Sequence, residues 1–149
     1  GFALTDIKTA GAAGTTHTLY SSIDHGLNRI AKVAISSVGS NYINGSYYNV
    51  AMNHMLSTFK SVKFLVFSDD LEWCKNNLPS GVLYSTASDQ FEDMCAMTLC
   101  DSHIVANSSF SWWGAWLSNS RCVIAPRAWF GPKGPTDWST IYGHGWLVA

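Results

Sequence analysis

Apolar runs alternate with longer amphipathic stretches from residue 32 to residue 125. The pattern predicts strands over 32–37, 62–68, 82–85, 103–106 and 122–125, with helices over 46–59, 69–77, 89–100 and 109–118. Such alternation specifies an α/β layer sandwich: a mainly parallel sheet of about five strands with helices on both faces. The helix starts carry their own signals. Ser68 or Asp69 stands ready to cap the helix bearing Trp73, and Ser88 or Asp89 the helix bearing Phe91 and Met94, with Glu92 and Asp93 in its first turn. Before residue 32 the pattern lapses. Residues 1–22, with the run Gly11-Ala12-Ala13-Gly14-Thr15-Thr16, read as an arm, and 23–31 as a short helix turning Leu27 and Ile30 inward. Residues 131–135 read as a loop, so the expected organisation is an arm and short helix over 1–31 and one domain over 32–149.

The densest chemistry lies where the strand 103–106 turns into the helix that follows. Asn107, Ser108 and Ser109 are capping residues, and the tryptophans come directly behind them. A helix start offers unpaired N–H groups, and in an open α/β sheet this turn falls at the carboxyl edge where ligands bind. Asn107, Ser108, Ser109, Phe110 and Ser111 are therefore the candidate cradle for a phosphate, although the same residues would serve equally as a plain helix cap. Trp112, Trp113 and Trp116, at helical spacing, are expected in the core. His103 heads a buried strand and reads as a satisfied core histidine, while Asp69 and Asp70 read as helix caps.

Composition narrows the function classes. Hydrophobic residues make up 47% of the chain and charged residues 13%, with a net charge of −1, so a nucleic-acid partner, which would favour a basic face, is not indicated. No apolar run reaches membrane-spanning length, and no histidines or cysteines stand at metal-ligand spacing. Cys74, Cys95, Cys100 and Cys122 read as free thiols, all but Cys74 in apolar surroundings and buried. Low charge beside many aromatics also suggests a surface covered by another chain.

The run Asn107-Ser108-Ser109-Phe110-Ser111-Trp112-Trp113-Gly114-Ala115-Trp116-Leu117, followed by Val123-Ile124-Ala125-Pro126 and Trp129-Phe130, resembles the C-terminal signature of the family 11 glycosyltransferases, the α-1,2-fucosyltransferases that use GDP-fucose. Upstream, Phe64-Leu65-Val66-Phe67-Ser68-Asp69-Asp70 with Trp73, and Glu92-Asp93-Met94 with Cys100, fall in the family's order. The resemblance covers residues 33 to 149. It implies a Rossmann-like fold, one half of a GT-B enzyme, with this chain as the GDP-fucose-binding half and the acceptor-binding half on another segment or chain. It implies no metal or other cofactor. Gly1 in place of Met suggests a segment ahead of the chain, and the tail 137–148 resembles the family's closing segment.

Within that resemblance Ser108 and Ser109 fall on the phosphate side, and Asp101 falls where related enzymes place an acid toward guanine, whose N1–H and N2–H one carboxylate can accept together. The family's His-x-Arg-Arg-Gly-Asp-Tyr stretch matches Ser36-Ser37-Val38-Gly39-Ser40-Asn41-Tyr42, which keeps Tyr42 and a glycine but loses the histidine, both arginines and the acid. Charge developing on departing GDP needs preorganised positive charge or N–H donors, and losing such a charged contact costs on the order of 10²- to 10³-fold or more in rate. No catalytic residue is therefore assigned. Two readings follow: a fucosyltransferase-like donor-binding half impaired in catalysis, or an inactive relative serving as a structural subunit of a larger assembly.

Overall fold

A computed structural model describes residues 30–37 and 43–149. The expected arm 1–22, most of the expected helix 23–31 and residues 38–42 lie outside the described residues. Ala31, expected at that helix's end, is already in a strand.

The described chain runs β1 (Ala31–Ser37), α1 (Gly45–Thr58), β2 (Val62–Ser68), α2 (Leu71–Asn77), β3 (Leu83–Tyr84), α3 (Gln90–Thr98), β4 (Ser102–Ile104), α4 (Ser109–Leu117), β5 (Cys122–Ala125), a 3-10 turn (Ser139–Ile141) and β6 (Leu147–Val148). The sheet order is β3-β2-β1-β4-β5-β6, and every pairing is parallel. That order is the Rossmann arrangement, in which the chain works outward from β1 to one edge and then crosses to β4 to build the other.

Burial explains the layering. Every residue of β1 is buried, as expected of a central parallel strand covered on both sides. Val33 and Ile35 pack with Tyr48, Ala51, Met52 and Met55 of α1 and Cys74 of α2, whereas Ala34 packs with Ala96 and Met97 of α3. Positions 48, 51, 52 and 55 recur at helical spacing, so α1 lays one continuous apolar stripe on the sheet. Each such fully buried large side chain contributes roughly 1.5–3 kcal/mol.

The helix starts are capped from within. Asn44 accepts from the N–H groups of Ser46 and Tyr47, and Asp89 from those of Phe91 and Glu92. Glu92 also reaches back to the N–H of Ser88, one residue before the cap, at 2.9 Å. The cap of α2 is Asp70, bonded to the Trp73 N–H at 2.9 Å, rather than Ser68 or Asp69; Ser68 Oγ instead accepts from the Asp70 N–H.

Three expectations are corrected. The sheet gains a sixth strand, because the C-terminal tail returns to pair Leu147 and Val148 with Ile124 and Ala125. The tryptophans of α4 are not core as a group: Trp113 and Trp116 are 50% and 54% exposed. The helix buries Ser111, Gly114 and Ala115, small residues that let it approach α3 and the sheet, and this phase turns Trp113 outward. Only Trp112 is held, donating from Nε1 to the Ile141 carbonyl at 2.6 Å and stacking on Trp116. Among the cysteines Cys74 and Cys100 are buried, while Cys95 is exposed and Cys122 partly so; Cys95 lies on α3 away from the Ala96–Met97 face that packs on the sheet.

Candidate functional site

β1 and β4 are neighbours whose connections leave in opposite directions, to α1 and α4, so a crevice opens between their carboxyl ends. A cavity of about 440 Å³ occupies that place. Ser36 and Ser37 enter it from β1, Ser68 and Asp69 from the end of β2, Asp89 and Asp93 from the start of α3, and Ser108, Phe110 and Ser111 from the start of α4.

The α4 start is built to leave groups available. Ser108 is the N-cap residue in extended conformation, yet its side chain makes no capping hydrogen bond. The Ser111 hydroxyl, by contrast, is committed inward, within reach of the Ala106 and Ser108 carbonyls at 3.0 and 2.9 Å, and so ties the first turn to the strand before it. Ser36 Oγ is buried without a hydrogen-bond partner. Buried polar atoms are nearly always paired, so such orphans at a cavity wall mark where a ligand's polar atoms fit.

On the opposite wall Asp93 is half-buried and accepts a hydrogen bond from the Ser85 hydroxyl. Burial pushes its carboxyl up, the Ser85 bond partly offsets this, and the charges of Asp89 and Glu92 add to the rise. Asp69, Asp89 and Asp93 make this wall acidic, and among the described residues lining the cavity none is a lysine or arginine.

Of the residues expected at the site, Ser108, Phe110 and Ser111 line this cavity, while Asn107 and Ser109 face a second cleft on the other side of the same helix start. Asp101 is not brought to either. It precedes β4, at the amino edge of the sheet, where its carboxylate accepts from the Lys32 backbone N–H at 2.9 Å and its own N–H bonds the Lys32 carbonyl. Those bonds tie β1 to β4 at the far end of the strands. The acids that line the cavity are Asp69, Asp89 and Asp93, which the sequence pattern assigns only to helix caps and a helix first turn.

His103 is satisfied in the core, as expected. Its Nε2 donates to the Met97 carbonyl at 2.9 Å, so the neutral ring's Nδ1 accepts from Ser120 Oγ at 2.6 Å. Burial holds its pKa down at about 4. Among the described residues no group of His, Cys, Asp and Glu could hold a metal ion, and no helix is long and apolar enough to cross a membrane.

Sheet order and switch-point cavity together define a Rossmann-like domain with a crevice at the carboxyl edge. The family model of glycosyl transferase family 11 matches residues 28–148, and the chain belongs to that family. It is 41% identical to an alpha-1,2-colitosyltransferase of Escherichia coli over 92 residues, which cover 56% of this chain and 32% of that protein. It is 35% identical to the O-antigen biosynthesis glycosyltransferase WbnK of Escherichia coli over 91 residues, covering 56% of this chain and 30% of the relative. A galactoside alpha-(1,2)-fucosyltransferase 1 of Aotus azarae is 24% identical over 86 residues, 54% of this chain and 24% of that enzyme. The matched part thus spans about a third or less of these relatives' length. No solved structure matches. The chain is a fucosyltransferase-like glycosyltransferase domain.

Proposed function

We propose that the chain binds a GDP-deoxyhexose, GDP-fucose or a near relative, at the switch-point cavity, as the donor half of an inverting α-1,2-glycosyltransferase. The observation that carries this reading is the α4 start: an N-cap serine with a free side chain, opening onto a cavity that also holds the orphaned Ser36 hydroxyl. N–H groups of the first turn and the two hydroxyls meet the diphosphate. Asp93 meets guanine, whose N1–H and N2–H donate to one carboxylate as a charge-assisted pair. The relatives' names supply the sugar class, since they transfer colitose and fucose.

Turnover by this chain is proposed to be impaired. The cavity lining offers the departing diphosphate hydroxyls and N–H groups but, among the described residues, no cation. One observation favours a structural role instead: Phe91 is 74% exposed, and Trp113, Trp116 and Leu117 form an exposed apolar face on α4, as a surface covered by another chain would.

Calorimetric titration with GDP and GDP-fucose separates the readings. The wild type should bind both and Ser108→Trp should bind neither. Equal binding by the variant would place the site elsewhere, and no binding by the wild type would leave the structural role. With galactose-terminated acceptors, GDP release should stay at the hydrolysis background; transfer well above it would refute impaired turnover.

A further inference from the structure

We propose that the second cleft beside the α4 start is the seat of the donor's deoxyhexose ring, an inference that rests on the GDP-deoxyhexose reading above. The cleft measures about 520 Å³, within the range of small-ligand sites, and is lined by Asn107, Ser109, Trp113, Phe130 and Thr140 among others.

Position is the first argument. Ser108 faces the switch-point cavity and Ser109 faces this cleft, so the two spaces meet across one helix turn. A nucleotide whose diphosphate lies over that turn, with its base toward Asp93, directs whatever is esterified to the distal phosphate toward Ser109. Chemistry is the second. No charged residue lines the cleft, a lining that suits a neutral occupant. Trp113 and Phe130 are 50% and 36% exposed, so their ring surfaces are available for the C–H face of a pyranose. A 6-deoxyhexose carries a methyl in place of a hydroxymethyl group, which makes that face more apolar than in an ordinary hexose. The polar end is present too: the Asn107 amide donates to the Trp129 carbonyl at 3.2 Å, which leaves its Oδ1 as a buried acceptor without a partner, and Ser109 and Thr140 add hydroxyls.

The test compares GDP with GDP-fucose on the full chain, following heat and tryptophan emission, for the wild type and Trp113→Ala. Trp113 is half exposed, so its removal leaves the core intact; circular dichroism checks this. GDP-fucose should bind the wild type about 3- to 10-fold more tightly than GDP, and Trp113→Ala should abolish that margin while leaving GDP affinity unchanged. Phe130→Ala should act in the same direction. Equal affinity for GDP and GDP-fucose in the wild type, or a Trp113→Ala effect shared equally by both, would overturn the assignment while leaving the nucleotide site standing. Quenching by a galactoside alone, lost in Trp113→Ala, would make the cleft an acceptor pocket and likewise overturn it. Failure of GDP itself to bind would remove the donor reading and this inference together.

Discussion

Gly114 sets how closely α4 approaches α3, and hence where the helix start lies, so a methyl added there is a direct test of the packing. A Cβ at position 114 would lie 2.4 Å from Met97 Cε, 3.1 Å from Sδ and 3.2 Å from Cβ. The terminal methyl can swing away, but Met97 Cβ cannot, because the Met97 carbonyl is fixed by the His103 ring and the Cys100 N–H. Met97 is fully buried, so the displaced sulfur has no solvent to enter. Alanine gains about 1 kcal/mol in helix propensity, whereas overpacking a filled core costs about 1–3 kcal/mol. Gly114→Ala should therefore lower stability by about 1 kcal/mol, read as a shifted urea midpoint at constant m. In a Met97→Ala background, itself destabilised by about 2–5 kcal/mol, the same change should cost less than in the wild type, since Sδ and Cε are gone and only the 3.2 Å contact with Cβ remains. A stabilising Gly114→Ala in the wild type, or additive effects in the double variant, would refute the close-approach argument.

Two further outcomes follow from buried ionisable groups. His103 stays neutral in the fold down to about pH 4 while the unfolded chain takes up a proton near 6.5, so stability should fall as pH drops through that window, by about 3 kcal/mol at most; urea titrations of His103→Gln should show a shallower acid slope, and an unchanged slope would refute the assignment. Asp93 has its folded pKa raised, so its contribution is full below the unfolded value near 3.9 and is lost as pH rises through it toward the folded value. At neutral pH Asp93→Asn should thus be more stable than the wild type by thermal melting yet bind GDP about 10- to 100-fold more weakly in calorimetry, and unchanged affinity would take guanine away from Asp93.

Much of the sheet was legible because buried parallel strands are short apolar runs, and β1, β2 and β5 lie within a residue of their expected bounds. β6 was not legible: Leu147-Val148 is two residues long and becomes a strand only because the tail folds back, with the Arg127 N–H bonding the Ala149 carbonyl at 2.8 Å. Helix phase was the second gap. Counting three tryptophans at helical spacing does not say which face they share, and Gly114 and Ala115 at intervals of three and four from Ser111 were the better marker of the buried side. Which acid lines the cavity was not legible for a different reason. Asp93 and Asp101 stand near opposite ends of α3, and only Asp93, in the first turn at the carboxyl edge of the sheet, reaches the crevice, whereas Asp101 follows the helix at the amino edge.

The distribution of charge around the crevice then orients what it holds. Asp69, Asp89 and Asp93 all enter from β2 and α3, while the β1 and α4 walls contribute Ser36, Ser37 and Ser108. Two unit charges 4 Å apart near a protein surface interact by about 4 kcal/mol, so a diphosphate set against the acidic wall would be repelled by more than hydroxyl contacts return. A guanine presents N–H donors to that wall and is attracted by it. On the proposed function, the nucleotide would lie base toward α3 and diphosphate toward α4, the orientation that leaves the attached sugar beside Ser109. Only interactions that strengthen as charge develops accelerate the reaction, and hydroxyl and N–H donors without a cation supply less of that than the same donors with one. On the proposed function, the same serines would hold the donor without speeding its transfer.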